Sequence, residues 1–130
     1  MKKGDVFEEK FVVSDKVYEG FILVFQDKNP MHTQDDFARN FGFKERVMHG
    51  NILNGFLSYF IGERLPLKNV VIQTEQIQYV LPVYLNESLD FRCEVTDVYD
   101  SVRSLEFKFY FQNSLGKKVA RGNIQIGILK

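Results

Sequence analysis

The chain has 130 residues, with 17 lysines and arginines balanced by 17 aspartates and glutamates, for a formal net charge of zero. That length holds one well-packed domain, expected to run over residues 1–130. The charge balance removes any electrostatic case for nucleic acid or an anionic membrane surface as partner, and no apolar run is long enough to cross a bilayer.

The opening MKKGDVFEEK carries two lysines with no apolar core behind them, unlike a signal peptide. The only cysteine, Cys93, has no partner for an internal disulfide, so the expected location is cytoplasmic. It alternates with Phe91 and Val95 at strand spacing, which reads as a buried core thiol.

Val6 to Val13 predicts a first strand. Ser14 predicts an N-cap, and Val17, Tyr18, Phe21, Ile22 and Phe25 follow at helical spacing. Asp27, Asn29 and Pro30 are turn formers, and Pro30 disfavours helix at Asn29. Asp27 and His32 are therefore expected on a loop. Thr33 reads as the next N-cap, with Phe37 and Phe41 facing inward and Gly42 ending a short helix. Gly50 opens the main helix, whose stripe is Ile52, Leu53, Phe56, Leu57, Phe60 and Ile61. It carries almost no charge before Glu63, so burial on most sides is expected.

The second half changes character. Val70–Val80, Leu89–Val98, Val102–Asn113 and Lys118–Ile128 read as strands joined by short turns, which makes the sheet mainly antiparallel. One sheet facing one long helix is an α+β domain.

Asp27, His32 and Gly50 are the candidates for chemistry. Alone, an aspartate before Asn-Pro starts a turn, and a single histidine is more often structural. Together, a carboxylate and a neutral imidazole on one pinned segment can share a water. The backbone N–H of a glycine at a helix N-terminus can face a carbonyl oxygen that develops negative charge. His49, beside Gly50, reads as structural or supporting. No metal is expected, because neither HxxH, HxxxH nor cysteine-rich spacing occurs. No P-loop, dinucleotide fingerprint or GxSxG occurs either, and no cofactor is expected.

The run DKNPMH from Asp27, then DDFARNFGF and VMHG ending at Gly50, resembles the signature of the MaoC-like dehydratases. More narrowly, it resembles the (R)-specific enoyl-CoA hydratases, or hydratase 2. The strand segment YVLPVYLNESLDFRCEV is similar to the family as well. The resemblance implies a hot-dog fold, an antiparallel sheet wrapped around a central helix. It implies addition of water to trans-2-enoyl thioesters of CoA or an acyl carrier protein, or the reverse dehydration. In that case Asp27 and His32 form the catalytic pair and the Gly50 N–H stabilises the enolate-like oxygen. Asn29, His49 and Ser58 then bind substrate or support the site. A homodimer or larger homo-oligomer sharing the thioester tunnel is also implied. One departure stands out: Phe25-Gln26 precedes Asp27 where the family has a small residue and then a glycine or acid. If the second position takes a glycine-like backbone angle, Gln26 is strained there, and Phe25 could narrow the acyl pocket. A non-catalytic thioester-binding subunit and an acyl-CoA thioesterase are the alternative readings.

Overall fold

A computed structural model describes residues 1–130. The strands are β1 (Val6–Val12), β2 (Val70–Tyr79), β3 (Ser88–Tyr99), β4 (Ser104–Gln112) and β5 (Lys118–Ile128). They form one antiparallel sheet in the order β1-β3-β4-β5-β2. Four helices precede β2: α1 (Asp15–Phe25), α2 (Pro30–Thr33), α3 (Asp35–Asn40) and α4 (Asn51–Tyr59). A π-helical turn, Phe60–Arg64, continues α4 before Pro66 stops it. This is the α+β architecture expected, with the central helix held against the inner face of the sheet.

Alternation explains the sheet. In β4, Leu105, Phe107, Phe109 and Phe111 are buried while Glu106, Lys108 and Tyr110 face outward. In β3, Leu89, Phe91, Cys93 and Val95 are buried in the same way. A bulge between Val95 and Asp97 then shifts the phase, which turns Val98 toward the core. From α4 and its extension, Ile52, Leu53, Leu57, Phe60 and Ile61 meet this face. Each fully buried large apolar side chain of this kind contributes about 1.5–3 kcal/mol, so this contact dominates the stability of the fold. At Gly122 in β5 a Cβ would run into the backbone carbonyl of Gln76, so only glycine lets β2 close on β5 there.

Several expectations need correction. Pro30 does not hold a loop open; it takes the first position of α2, where its missing N–H costs nothing. His32 therefore sits on a one-turn helix, and only Asp27 remains on irregular chain. Thr33 is not an N-cap. It ends α2, its hydroxyl donates back to the Lys28 and Asn29 carbonyls, and Gln34 precedes α3 without a side-chain cap. Ala38, not Phe41, is the buried residue of α3; Phe41 is 62% exposed and lies against Phe37. Phe25 is likewise exposed, because α1 has turned its last residue off the core. Finally, α4 is not enclosed. Asn51, Gly55, Ser58 and Tyr59 form an open face, so its scarcity of charge does not mark burial within one chain.

Cys93 is fully buried, and burial pushes its thiol up to about 12. Ellman's reagent should therefore find no reactive thiol in the native protein and one per chain in denaturant. Rapid reaction of the native protein would show that β3 opens locally.

Candidate active site

The segment after α1 is built by short-range bonds. Gln26 caps α1 in the left-handed region, with φ 60° and ψ 21°. This is the glycine-like angle that the sequence made suspect. It costs a residue with a Cβ roughly 1–2 kcal/mol. The Gln26 side chain offsets part of that by donating to the Leu23 carbonyl at 2.8 Å, and its N–H reaches the Ile22 carbonyl at 2.8 Å. The chain then turns at Asp27, whose carboxylate accepts the Asn29 N–H at 3.2 Å. The Asn29 side chain accepts the Met31 N–H at 2.9 Å and so caps α2. Asn29 thus shapes the turn that presents Asp27 and His32.

His32 is held from three sides. The buried Tyr18 donates its hydroxyl to the His32 carbonyl at 2.6 Å, tying α1 to α2. The Val47 N–H donates to the Met31 carbonyl at 3.0 Å, and the Val47 carbonyl lies 2.8 Å from His32 Nδ1. A carbonyl only accepts, so Nδ1 carries a proton, and in the neutral ring Nε2 is the atom with the lone pair.

His49 is 3% exposed and stacks on His32, ring centroids 4.1 Å apart at 29°. Its Nε2–H donates to the backbone carbonyl of Asp27 at 2.9 Å, and its Nδ1 is buried without a partner. Burial holds its pKa below the usual imidazole value; the Asp27 carbonyl opposes this and the neighbouring His32 adds to it. His49 is therefore a neutral brace between Asp27 and His32. Each of the three side chains can offer a donor atom, all within 4.8 Å of one another, a cluster that linear spacing did not show.

Gly50 precedes α4 with ordinary helical angles, φ −58° and ψ −35°. Backbone freedom is not why glycine is needed. A Cβ there would lie 2.9 Å from Tyr79 Cε1, so the constraint is space. The Gly50 N–H makes no hydrogen bond within the chain and is an open donor at a helix N-terminus.

Two openings meet here. One, of about 470 Å³, is lined by His32, Val47, His49, Gly50 and Tyr79. The other, of about 770 Å³, runs between α1 and α4 past Phe21, Val24, Asp27, Gly55 and Phe56. Asn51 borders both. Asp27 thus borders one opening and His32 the other, while the carboxylate and one nitrogen of each histidine ring still lie within 4.8 Å of one another. Ser58 lies exposed two turns along α4 and lines neither. Phe25 borders the second opening, so it narrows that groove from outside. A larger concavity of about 1070 Å³ lies on the outer face of the sheet among Arg92, Lys108 and Arg121. It holds none of these groups, and Glu94 ion pairs make it a solvated charged surface.

The family model of the MaoC like domain matches residues 3–109. The chain belongs to the MaoC-like dehydratase family. With that family it is an enzyme of the hydro-lyase class. An (R)-specific enoyl-CoA hydratase from Rhodospirillum rubrum is 25% identical over 108 residues, covering 83% of this chain and 75% of the relative. A 3-hydroxybutyryl-CoA dehydratase from Methylorubrum extorquens is 28% identical over 94 residues. That match covers 72% of this chain but 59% of the relative, so the chain spans well under two thirds of that protein. In fold, the unliganded R-hydratase PhaJ1 from Pseudomonas aeruginosa superposes with a TM-score of 0.89 at 24% identity, covering all of this chain and 83% of the other. The sheet and central helix are therefore the hot-dog fold. No helix is long and apolar enough to cross a membrane.

Proposed function

We propose that the protein adds water to trans-2-enoyl thioesters to give (R)-3-hydroxyacyl thioesters, or runs the reverse dehydration. The observation that carries this is the Asp27 carboxylate within 4.8 Å of the His32 imidazole, whose opening is also lined by Gly50 with its unpaired helix-terminal N–H. The named activities of the two relatives support the substrate class, and that of the Rhodospirillum rubrum relative supports the R stereochemistry. In the forward direction, Asp27 and His32 hold one water. One of the pair accepts its proton as the oxygen bonds to C3. The electrons move to the thioester oxygen, where the Gly50 N–H takes the developing charge. The proton then passes to C2 on the same face, so a complete water is added and no cofactor is consumed.

Crotonyl-CoA hydration, followed by loss of the enoyl-thioester absorbance, tests this directly. Activity across short acyl lengths, on CoA or carrier-protein thioesters, is the expected result; none on any of them overturns it. Release of free CoA would instead mark a thioesterase. Tight acyl-CoA binding without turnover would mark a non-catalytic subunit.

The working unit we propose is a homodimer or a larger homo-oligomer in the cytoplasm. β2 is ten residues long, pairs only with β5, and leaves Val71 and Ile72 exposed. Such an edge is normally covered. Ile72→Lys should therefore convert the protein to monomers in light scattering, with loss of activity. An unchanged mass would place the contact elsewhere.

A further inference from the structure

Tyr79 ends β2, and its ring lies against Gly50. The point where a Gly50 Cβ would sit is 2.9 Å from its Cε1 and 3.0 Å from its Cζ, the carbon that bears the hydroxyl. Tyr79, Gly50 and His32 line the same opening. One helical turn along α4, Asn54 Nδ2 donates to Tyr79 Oη at 3.1 Å and to Asn51 Oδ1 at 2.8 Å. Oη accepts there, so the phenol keeps its own proton, and no acceptor in the chain takes it. Burial raises the phenol pKa above its usual value; Asn54 opposes the shift and Glu75 adds to it. The group is thus a donor at neutral pH. Asn54 Oδ1 is buried without a partner, so this network is not satisfied within the chain.

We infer that the Tyr79 phenol donates a second hydrogen bond to the thioester oxygen held at the Gly50 N–H, with Asn54 setting the direction of the phenol. The inference deepens the hydratase reading and rests on it. An N–H and an O–H converging on one oxygen stabilise an enolate more than either does alone. Tyr79 is then a catalytic residue, and Asn54 is a positioning residue that acts through it.

Tyr79→Phe keeps the ring against Gly50 and removes only the donor. Crotonyl-CoA hydration should lose about 10²-fold in kcat, with KM changed by less than about threefold. Asn54→Ala should lose about tenfold alone and nothing further in the Tyr79→Phe background. If the Asn54 amide were instead turned over to accept the phenol proton, Asn54→Ala would free that proton and raise kcat, which overturns the assignment. A second measurement needs no turnover. Acetoacetyl-CoA forms an enolate with its own ultraviolet band, and the bound enolate fraction should fall about tenfold in Tyr79→Phe. An active wild type whose Tyr79→Phe variant matches it in both kcat and enolate fraction overturns the inference and leaves the hydratase reading standing. An inactive wild type that binds enolate in a Tyr79-dependent way does the reverse. A wild type that neither turns over nor binds enolate overturns both.

Discussion

Asp27→Asn is expected to lower the rate of crotonyl-CoA hydration by about 10²–10⁴-fold, and His32→Ala by a similar factor. Asp27→Asn keeps the size of the side chain, and its amide oxygen can still accept the Asn29 N–H that the carboxylate takes at 3.2 Å. The turn should therefore survive while the basic group is lost. His32→Ala removes the Nε2 lone pair along with the contact of Nδ1 to the Val47 carbonyl. That change leaves α2 bound through the Tyr18 hydroxyl to the His32 carbonyl, which is backbone. Both variants should unfold within a few degrees of wild type. If the pair acts on one water, the double variant should be little slower than the worse single one. Multiplying losses would mean that the two groups serve different steps. Full activity in Asp27→Asn would remove the carboxylate from the mechanism.

The elements with strong periodicity were legible in the sequence. Leu105, Phe107, Phe109 and Phe111 could form only one face of a strand, and Ser14 could be read as a cap because its position is local. What failed were features decided by distant partners. Thr33 looks like an N-cap, yet its hydroxyl bonds backward because Pro30 has already started a helix. Phe41 looks like core, but α3 is too short to bury both of its phenylalanines. In the candidate site, Asp27, His32 and Gly50 could be nominated from their order. His49 could not be given its task, since nothing local says that its Nε2 reaches the Asp27 carbonyl 22 residues back. Tyr79 was not visible at all, because it lies 29 positions beyond Gly50 and meets it only when β2 folds beside α4. The departure at Gln26 was legible as strain, and its left-handed angle bears that out. Its remedy, a side-chain bond to the Leu23 carbonyl, depended on the helix end being formed.

Phe91→Ala should be the most destabilising single change in the core, lowering the unfolding free energy by about 3–5 kcal/mol. Phe91 is 1% exposed at the centre of an aromatic cluster, with ring centroids 4.9 Å from Phe60, 4.9 Å from Phe111, 5.8 Å from Phe11 and 6.1 Å from Phe109. Truncation to Ala loses the burial of the ring and leaves a cavity that three strands and a helix cannot all move to fill. A domain of this size has only about 5–15 kcal/mol in total, so the denaturation midpoint should fall by about a fifth or more. Phe91→Leu refills most of the volume and should cost about 1–2 kcal/mol. The same residue bears on function, because Phe60 lies on the helical extension of α4, and α4 carries Gly50 at its other end. If α4 moves as a rigid body on this cluster, Phe91→Leu will keep its fold but lose some kcat through the misplaced Gly50 N–H, since small displacements in such a site are costly. If its activity per folded molecule equals that of wild type, the N-terminus of α4 is held locally instead, by the Met48 N–H to the Val83 carbonyl at 2.8 Å and by the His49 bond to Asp27.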